Sequence, residues 1–582
     1  MSRFAADLGF GATLLGEGRA GFRVWAPSMD QAELEIEGRG RLPMARSGEG
    51  WFEAETDCQA GACYRYVFGD LAAPDPASRA QADDVHGFSV VVDPHAYEWR
   101  TGDWQGRPWC ETVLYEVHAG LLGGFSGVAE RLPALKALGV TAVELMPIAD
   151  FPGRRNWGYD GVLPYAPDAA YGSPDELKAL VDRAHELGLM IFLDVVYNHF
   201  GPDGAYVHAY APQMFRKDLH TPWGGAIDFR RPQVRDYFTR NAIYWINEYR
   251  FDGLRFDAVH AISEQDWLTE MAQAVRAAAG PVRHVHLVLE NEHNAASHLR
   301  GPFDAQWNDD FHNVMHVLLT GETGAYYQDF ADRPAERLAR CLSQGFIYQG
   351  EPSPNHDGEP RGEPSDDLPP TAFVSFLQNH DQAGNRAMGE RLIDLADPQA
   401  LRAATALMLL CPQIPLLFMG EETGSRTPFL FFTDFHDELA DAVREGRRKE
   451  FAKFPEFSDP ERRKRIPDPN ASATFECSRP RPGEDADTWR RFYADLLELR
   501  RTHVVPGLDG ARSIGAEVLG EKAVLARWSL AEGAVLTLAI NLADVAVPLS
   551  GHPAGAPVYG AGSLAVDRLD AHALVAWLEA KP

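Results

Sequence analysis

The chain has 582 residues, of which 45% are hydrophobic and 24% charged, a composition typical of a globular protein with more than one domain. With 84 Asp and Glu against 55 Lys and Arg, its formal net charge is -29, and such an acidic surface repels nucleic-acid phosphates and anionic lipid headgroups. We therefore expect neither nucleic acid nor a membrane as a partner. The sequence shows no basic and apolar leader and no uncharged run of membrane-spanning length, which predicts a cytoplasmic protein.

Residues 1–97 alternate short apolar runs with Gly, Pro and Asp. The segments 21–27, 32–36 and 64–68 have the period-two pattern of half-buried strands. These strands predict an N-terminal β-sandwich that resembles a carbohydrate-binding module, followed by a polar linker at 93–104.

Residues 98–503 alternate strand-like and helical patterns. Helical segments at 126–138, 174–187 and 232–249 repeat apolar residues at three and four. The strand-like runs lie at 113–118, 142–147, 190–196, 253–259, 285–290, 305–308, 372–377 and 414–419. Eight such runs predict an α/β fold, specifically a (β/α)₈ TIM barrel. The alternative is a doubly wound sheet, but such sheets more often show an early Gly-rich phosphate turn, which this sequence lacks.

Three further segments complete the predicted organisation. The charged, Pro-rich residues 351–370 are expected to form an exposed loop before the seventh strand, and residues 434–478 an insertion after the eighth. Residues 504–582 return to short β runs, which predict a C-terminal β domain.

Polar residues at the ends of barrel strands are the candidates for chemistry, because the active sites of barrel enzymes lie there. Arg255 and Asp257 are two apart in the fourth run, so both side chains face the barrel mouth. The guanidinium favours the ionised carboxylate that a nucleophile needs. A purely structural ion pair is the alternative.

Glu290 ends the fifth apolar run, where partial desolvation raises the pKa of a carboxyl toward the range of a general acid. Glu292 points the same way on an extended strand and is the rival candidate. Two carboxylates about 5 to 5.5 Å apart permit double displacement at an anomeric carbon, whereas wider spacing implies inversion.

Other strand ends carry groups suited to binding sugar hydroxyls. The seventh run ends in Asn379, His380 and Asp381, although Asp381 has an alternative role as N-cap of a helix at 382–392. The third run ends with Asp194 and His199, which alternatively satisfy only loop backbone.

Aromatic residues near these ends are candidates for stacking on sugar rings. Tyr159 is the best of them, and Trp223, Trp157 and Trp307 are the others, with burial in the core as the alternative for each. No phosphate loop, cysteine nucleophile dyad or His-Glu-x-x-His zinc pattern occurs in the sequence.

Segments 194–199, 253–260, 289–291 and 378–381 together resemble the four ordered motifs of the α-amylase family of glycoside hydrolases, in a likeness that runs from about 114 to 422. The resemblance implies an α-glucan substrate and retention at the anomeric carbon. It also implies Asp257 as nucleophile, Glu290 rather than Glu292 as acid/base, and Asp381 as the carboxylate that binds hydroxyls and favours ring distortion.

The same resemblance implies that Arg255, His199 and His380 assist at the site. Together with Tyr159, Asp194, Trp223, His260 and Asn379 they form the predicted set of substrate-binding residues. Asn198 corresponds to a residue that helps to hold calcium in some amylases. No oxygen-rich insertion follows it, so we expect no metal and no cofactor, and predict that Asn198 orders its loop.

Within the family, residues 115–120, 156–161, 253–260, 432–436 and 443–450 resemble the trehalohydrolase branch. Its members hydrolyse the α-1,4 bond next to the terminal trehalose of maltooligosyl trehalose, which implies functional pairing with a maltooligosyltrehalose synthase. A glucan branching transferase is the nearest alternative, but such enzymes generally have Gln where Asp160 stands. A silent glycan-binding protein is a third, although such proteins usually lose one of the three carboxylates.

Overall fold

The computed structural model describes residues 3–221, 224–565 and 567–580. Within these residues, eight parallel strands close into a barrel and follow one another around it in chain order. The barrel strands are Leu114–Val117, Ala142–Leu145, Met190–Val195, Gly253–Phe256, His286–Leu289, Ala305–Trp307, Phe373–Ser375 and Ile414–Phe418. Each lies within one of the eight predicted runs, so the (β/α)₈ barrel is confirmed and the doubly wound sheet is wrong.

The barrel strands are buried along their whole length, as expected of parallel strands covered on both faces. Gly253 begins the fourth strand, where a Cβ would lie 2.2 Å from the ring of Phe192 on the third. Glycine at this position therefore lets the ring of one strand pack against the backbone of the next.

Helices connect the strands, and their ends follow from local sequence. Ser173 and Glu176 form a capping box at the start of the helix Pro174–Glu186. Asp397 caps Pro398–Leu410. The longer helices of the barrel region are Gly124–Leu138, Pro174–Glu186, Pro232–Asn247, Gln265–Ala279, Asp309–Thr320, Pro334–Gln344 and Pro398–Leu410. The shorter ones are Ala119–Leu122, Val207–Tyr210, Ala296–Leu299, His380–Gly384 and Leu392–Leu395.

Two antiparallel sheets precede the barrel. Phe22 of one sheet and Tyr64 of the other pack with ring centroids 4.8 Å apart, so the sheets face each other as the predicted β-sandwich requires. The first sheet contains Gly11–Gly16, Arg19–Trp25, Trp51–Asp57 and Ala45–Arg46. The second contains Gly40–Pro43, Glu33–Ile36, Cys63–Phe68, Leu71–Ala73 and Ser89–Val90.

After the eighth strand, the predicted insertion contains the helices Asp437–Phe451, Pro460–Arg463 and Ser472–Cys477, and Ala486–Leu499 follows it. The C-terminal β domain is confirmed: Arg512–Gly520, Ala523–Ser529, Val535–Asn541 and Ala573–Glu579 form one antiparallel sheet, and Val547–Pro548, Arg568–Leu569 and Leu564–Ala565 form another. The division of the chain at residues 97 and 503 stays a prediction.

Short antiparallel hairpins lie in the segments between barrel strands. They pair Ala149–Asp150 with Leu163–Pro167, Phe215–Thr221 with Gly224–Ile227, and Glu351–Pro352 with Pro360–Arg361. The last belongs to the segment 351–370, which was expected to be an exposed loop. That expectation is only partly right, because Ser353, Arg361 and Ser365 are buried. None of the helices in the described part of the chain is long and apolar enough to cross a membrane.

Candidate active site

Arg255 lies at the centre of the candidate site, with its side chain fully buried in the barrel interior. Its Nη1 is 2.7 Å from Oδ2 of Asp194 and 2.7 Å from Oδ1 of Asp257, and its Nη2 is 3.7 Å from Oε2 of Glu290. The guanidinium lies over the ring of Trp307 at 4.2 Å. One cation thus brings together three acids at the ends of the third, fourth and fifth strands.

Burial and charge set the protonation of these groups. Burial raises the pKa of Asp194 to about 7, although Arg255 opposes the rise. Burial also raises the pKa of Glu290, opposed by Arg255 and reinforced by the negative charge of Asp257. A glutamate that keeps its proton at a pH above its ordinary pKa is suited to act as a general acid.

Glu290 immediately follows the fifth strand, which ends at Leu289. Its Oε2 accepts a hydrogen bond from the backbone N–H of Ala258, whose φ of 42° lies in the left-handed region that residues with a Cβ seldom adopt. Glu292 lies outside the strand, so strand alternation does not extend to it, and its side chain is half exposed. The structure therefore brings Glu290, and not Glu292, to Arg255.

Asn198 and His199 follow the third strand. Asn198 was predicted only to order its loop, but its Nδ2 donates to both the Oδ2 and the carbonyl of Asp257, each at 3.0 Å. His199 lies beside it, with Nε2 3.0 Å from the carbonyl of Tyr159. Asn198 thus holds the carboxylate of Asp257 directly, and this contact was missed because it joins two strands.

Tyr159 packs among the charged groups. Its hydroxyl donates to Oδ2 of Asp194 at 2.6 Å, and its ring stacks on His380 with centroids 5.1 Å apart. Trp157 and Trp307 are only 5% and 1% exposed, so both belong to the core, which was the alternative to stacking on a sugar ring. Trp223 lies outside the described residues.

Asn379, His380 and Asp381 lie at the mouth of the barrel after the seventh strand. Asn379 is the N-cap of the helix His380–Gly384, and its side chain accepts from the N–H of Asp381 at 2.8 Å. The alternative role of Asp381 as an N-cap is therefore wrong, and its carboxylate is 42% exposed. Oδ2 of Asp381 lies 3.4 Å from Nε2 of His380.

Two further acids near the site were missed. Glu116, within the first strand, contacts both the ring and the backbone of His380. Asp309 begins the helix Asp309–Thr320, and its pKa is raised well above the ordinary value by burial and by the charges of Glu290 and Asp381. The strand-end rule that found the other acids also fits Asp309, because the sixth strand ends two residues before it.

A rim of polar residues lies beside Glu290. Nε2 of His260 is 3.6 Å from Oε2 of Glu292, and His260 Nδ1 accepts from the Glu292 N–H at 3.3 Å. His356, from the segment 351–370, approaches Oε1 of Glu292 at 3.4 Å. Among the described residues, no three or more His, Cys, Asp or Glu side chains form a group that could hold a metal ion.

Comparison with known proteins shows which family the chain resembles. Residues 92–220 match the catalytic domain of alpha amylase, and residues 511–576 match a domain of unknown function. The malto-oligosyltrehalose trehalohydrolase of Deinococcus radiodurans is 43% identical, over 84% of this chain and 82% of the relative. That of Arthrobacter ramosus is 38% identical, over 91% of this chain and 94% of the relative.

Solved structures agree on the fold. A protein of Salmonella typhimurium described as an alpha amylase is 44% identical with a TM-score of 0.92, and the match covers 98% of this chain and 99% of that one.

A branching enzyme of Thiobacillus denitrificans, by contrast, is 31% identical in sequence over only 48% of this chain and 43% of its own. The chain therefore belongs to the malto-oligosyltrehalose trehalohydrolase family, within the α-amylase group of glycoside hydrolases.

Proposed function

We propose that the protein is a retaining α-glycosidase that hydrolyses the α-1,4 bond next to the terminal trehalose of maltooligosyl trehalose, releasing trehalose and a maltooligosaccharide. The observation that carries this proposal is the contact of one guanidinium, that of Arg255, with the carboxylates of both Asp257 and Glu290. The names of the full-length relatives supply the substrate.

In the proposed reaction, Asp257 attacks the anomeric carbon while Glu290 protonates the oxygen of the departing trehalose. Glu290 then takes a proton from a water molecule, which attacks the glycosyl ester of Asp257 and releases the maltooligosaccharide with retained configuration. Arg255 and Asn198 orient the nucleophile through its two carboxylate oxygens. Asp381, partly exposed at the mouth, accepts hydrogen bonds from ring hydroxyls.

The remaining predicted residues surround these groups. We propose that Tyr159, His199 and His380 contact the sugar that is attacked, and Trp223 stays a predicted contact. Asp194 orients the hydroxyl of Tyr159, and Asn379 orients the backbone of Asp381. His260, with Glu292 and His356, forms the rim on the side of the proposed acid. This position suits residues that bind the leaving trehalose.

The proposed substrate must first acquire its terminal trehalose, so we propose a functional pairing with a maltooligosyltrehalose synthase. No cofactor takes part in the proposed chemistry, since both steps exchange only protons and a glycosyl group. We also expect a cytoplasmic location, where the product of the synthase would be the substrate of the hydrolase.

Incubation of the protein with maltopentaosyl trehalose, maltoheptaose and amylose tests this function. Free trehalose from the first substrate, with the newly formed reducing end detected by NMR as the α-anomer, is the expected result. New α-1,6 branch points in amylose without free trehalose would instead support the branching transferase. An Asp257→Asn variant, which lacks the proposed nucleophile, is the control and should release no trehalose.

A further inference from the structure

Glu116 is an acid in the middle of the apolar first barrel strand, with about 1% of its side chain exposed. Its Oε1 lies 2.5 Å from Nδ1 of His380, and its Oε2 accepts the backbone N–H of His380 at 3.1 Å. The two oxygens of one carboxylate therefore fix both the ring and the backbone of the residue that precedes Asp381. Glu116 has no part in the proposed steps of hydrolysis.

The other ring nitrogen of His380 faces the mouth of the barrel. Its Nε2 lies 3.4 Å from the partly exposed carboxylate of Asp381. We propose that Glu116 is a positioning residue that holds His380 doubly protonated, so that its Nε2–H is a fixed donor to the sugar hydroxyl that Asp381 also binds. This inference rests on the proposed function, because it requires a sugar at Asp381.

Charged and titratable groups face His380 from each neighbouring element. Burial disfavours the charged ring, but the carboxylates of Asp381 and Glu116 outweigh it and raise the pKa of His380 to about 9, against the opposing charge of Arg255. His118, just after the first strand, has its pKa lowered to about 4 by burial and adds no charge at neutral pH. Glu116 therefore supplies part of the charge that keeps the ring protonated.

Glu144 on the second strand is the register partner of Glu116 and offers a matched control. Neither of its carboxylate oxygens has a hydrogen-bond partner within the described part of the chain. Burial, together with the charges of Glu116 and Asp194, raises the pKa of Glu144 well above its ordinary value, which favours the neutral form of this side chain. Burial and the charge of Asp194 also raise the pKa of Tyr159, which stacks on His380, well above its ordinary value.

The test measures kcat and KM on maltopentaosyl trehalose between pH 5.5 and pH 8 for the full-length wild type, Glu116→Gln, Glu116→Asp and Glu144→Gln. Without the Glu116 charge, the ring loses its proton at a lower pH. We expect Glu116→Gln to lose about 10- to 100-fold in kcat/KM at pH 8 but only about threefold at pH 5.5. Glu116→Asp should retain more activity than Glu116→Gln, and Glu144→Gln should stay within about twofold of wild type throughout.

A loss in Glu116→Gln that is equal at both pH values would overturn the proposal, because a purely structural role does not depend on the protonation of His380. An equal, pH-dependent loss in Glu144→Gln would also overturn it. Calorimetry then compares the affinity of Asp257→Asn for maltopentaosyl trehalose with that of the double variant Asp257→Asn/Glu116→Gln. This measures the effect of Glu116 on binding without turnover. Absence of trehalose from the wild type would contradict the proposed function, whereas the binding comparison tests Glu116 separately.

Discussion

At the scale of single residues, the orientation of Asp257 is fixed from two sides. Nη1 of Arg255 donates to Oδ1 at 2.7 Å, and Nδ2 of Asn198 donates to Oδ2 at 3.0 Å. A nucleophile must meet the anomeric carbon within a few tenths of an ångström, so these two donors determine how much of the carboxylate's freedom remains.

The substitution Asn198→Asp tests this arrangement. It would keep the shape of the side chain but exchange the amide donor for a second negative charge beside Asp257. We expect kcat to fall by about 10²-fold at neutral pH with a smaller change in KM, because the donor to Oδ2 of Asp257 is lost and a like charge repels that carboxylate. Steady-state kinetics together with thermal melting check this, and an unchanged kcat would contradict a role for Asn198 at Asp257.

The division of work between Glu290 and Asp257 is testable with two substrates. Glu290→Gln should lose about 10³-fold or more on maltooligosyl trehalose, whose leaving oxygen needs a proton, but should lose far less on an α-maltosyl fluoride, whose fluoride leaves unprotonated. Asp257→Asn should lose activity on both substrates, because each requires the nucleophile. If the fluoride failed to restore formation of the intermediate in Glu290→Gln, measured as the burst of released fluoride, Glu290 would not be the acid.

At the scale of elements, the barrel was predictable because each strand is a short apolar run buried on both faces and bounded by helical patterns. The pairing of Arg255 with Asp257 was predicted from strand alternation, and the contact holds although the strand ends at Phe256, one residue before Asp257. Asn379 as N-cap was not predicted, although Asn379 and Gln382 form a capping box that the sequence contains.

Two of the contacts that sequence reasoning missed depend on how one strand is aligned with another. Asn198 reaches Asp257 across the third and fourth strands, and Glu116 reaches His380 from the first strand to the end of the seventh. Alternation within one strand carries no information about such neighbours. Alternation also could not decide between Glu290 and Glu292, because it ends where the strand ends, at Leu289.

The close approach of the third and fourth strands at Gly253 has a measurable energetic consequence. A Cβ there would lie 2.2 Å from the ring of Phe192, so Gly253→Ala should destabilise the protein by about 1–3 kcal/mol through overpacking. Gly446, within the helix Asp437–Phe451, has no atom within 4 Å of an added Cβ, and Gly446→Ala should stabilise by about 0.5–1 kcal/mol. Chemical denaturation of the two variants checks the opposite signs.

Adding Phe192→Leu to Gly253→Ala separates overpacking from other causes. The smaller side chain should recover part of the lost stability if the ring is the obstacle. Additive destabilisation in the double variant would contradict the proposed clash.

At the scale of the whole molecule, an acid of the N-terminal region lies near two buried acids of the barrel region. Asp150, in a hairpin of the barrel, is 1% exposed and has one carboxylate oxygen without a hydrogen-bond partner in the described residues. Asp84 of the N-terminal region accepts from the N–H of Gly153 at 3.3 Å and brings a further negative charge toward Asp150 and Asp168. Burial first, and then the neighbouring acids, raise the pKa values of both Asp150 and Asp168.

These raised pKa values make stability depend on pH in a definite direction. The folded protein retains protons on Asp150 and Asp168 that the unfolded chain releases above the ordinary value of 3.8, so stability falls as pH rises from about 4 through about 7. Asp150→Asn is neutral at every pH and should reduce the fall in melting temperature between pH 5 and pH 8 by about 2–5 °C. Calorimetry at both pH values, with the exposed Asp495→Asn as control, measures it. If the melting temperatures of Asp150→Asn and wild type changed equally between pH 5 and pH 8, Asp150 and Asp168 would already be ionised in the folded protein.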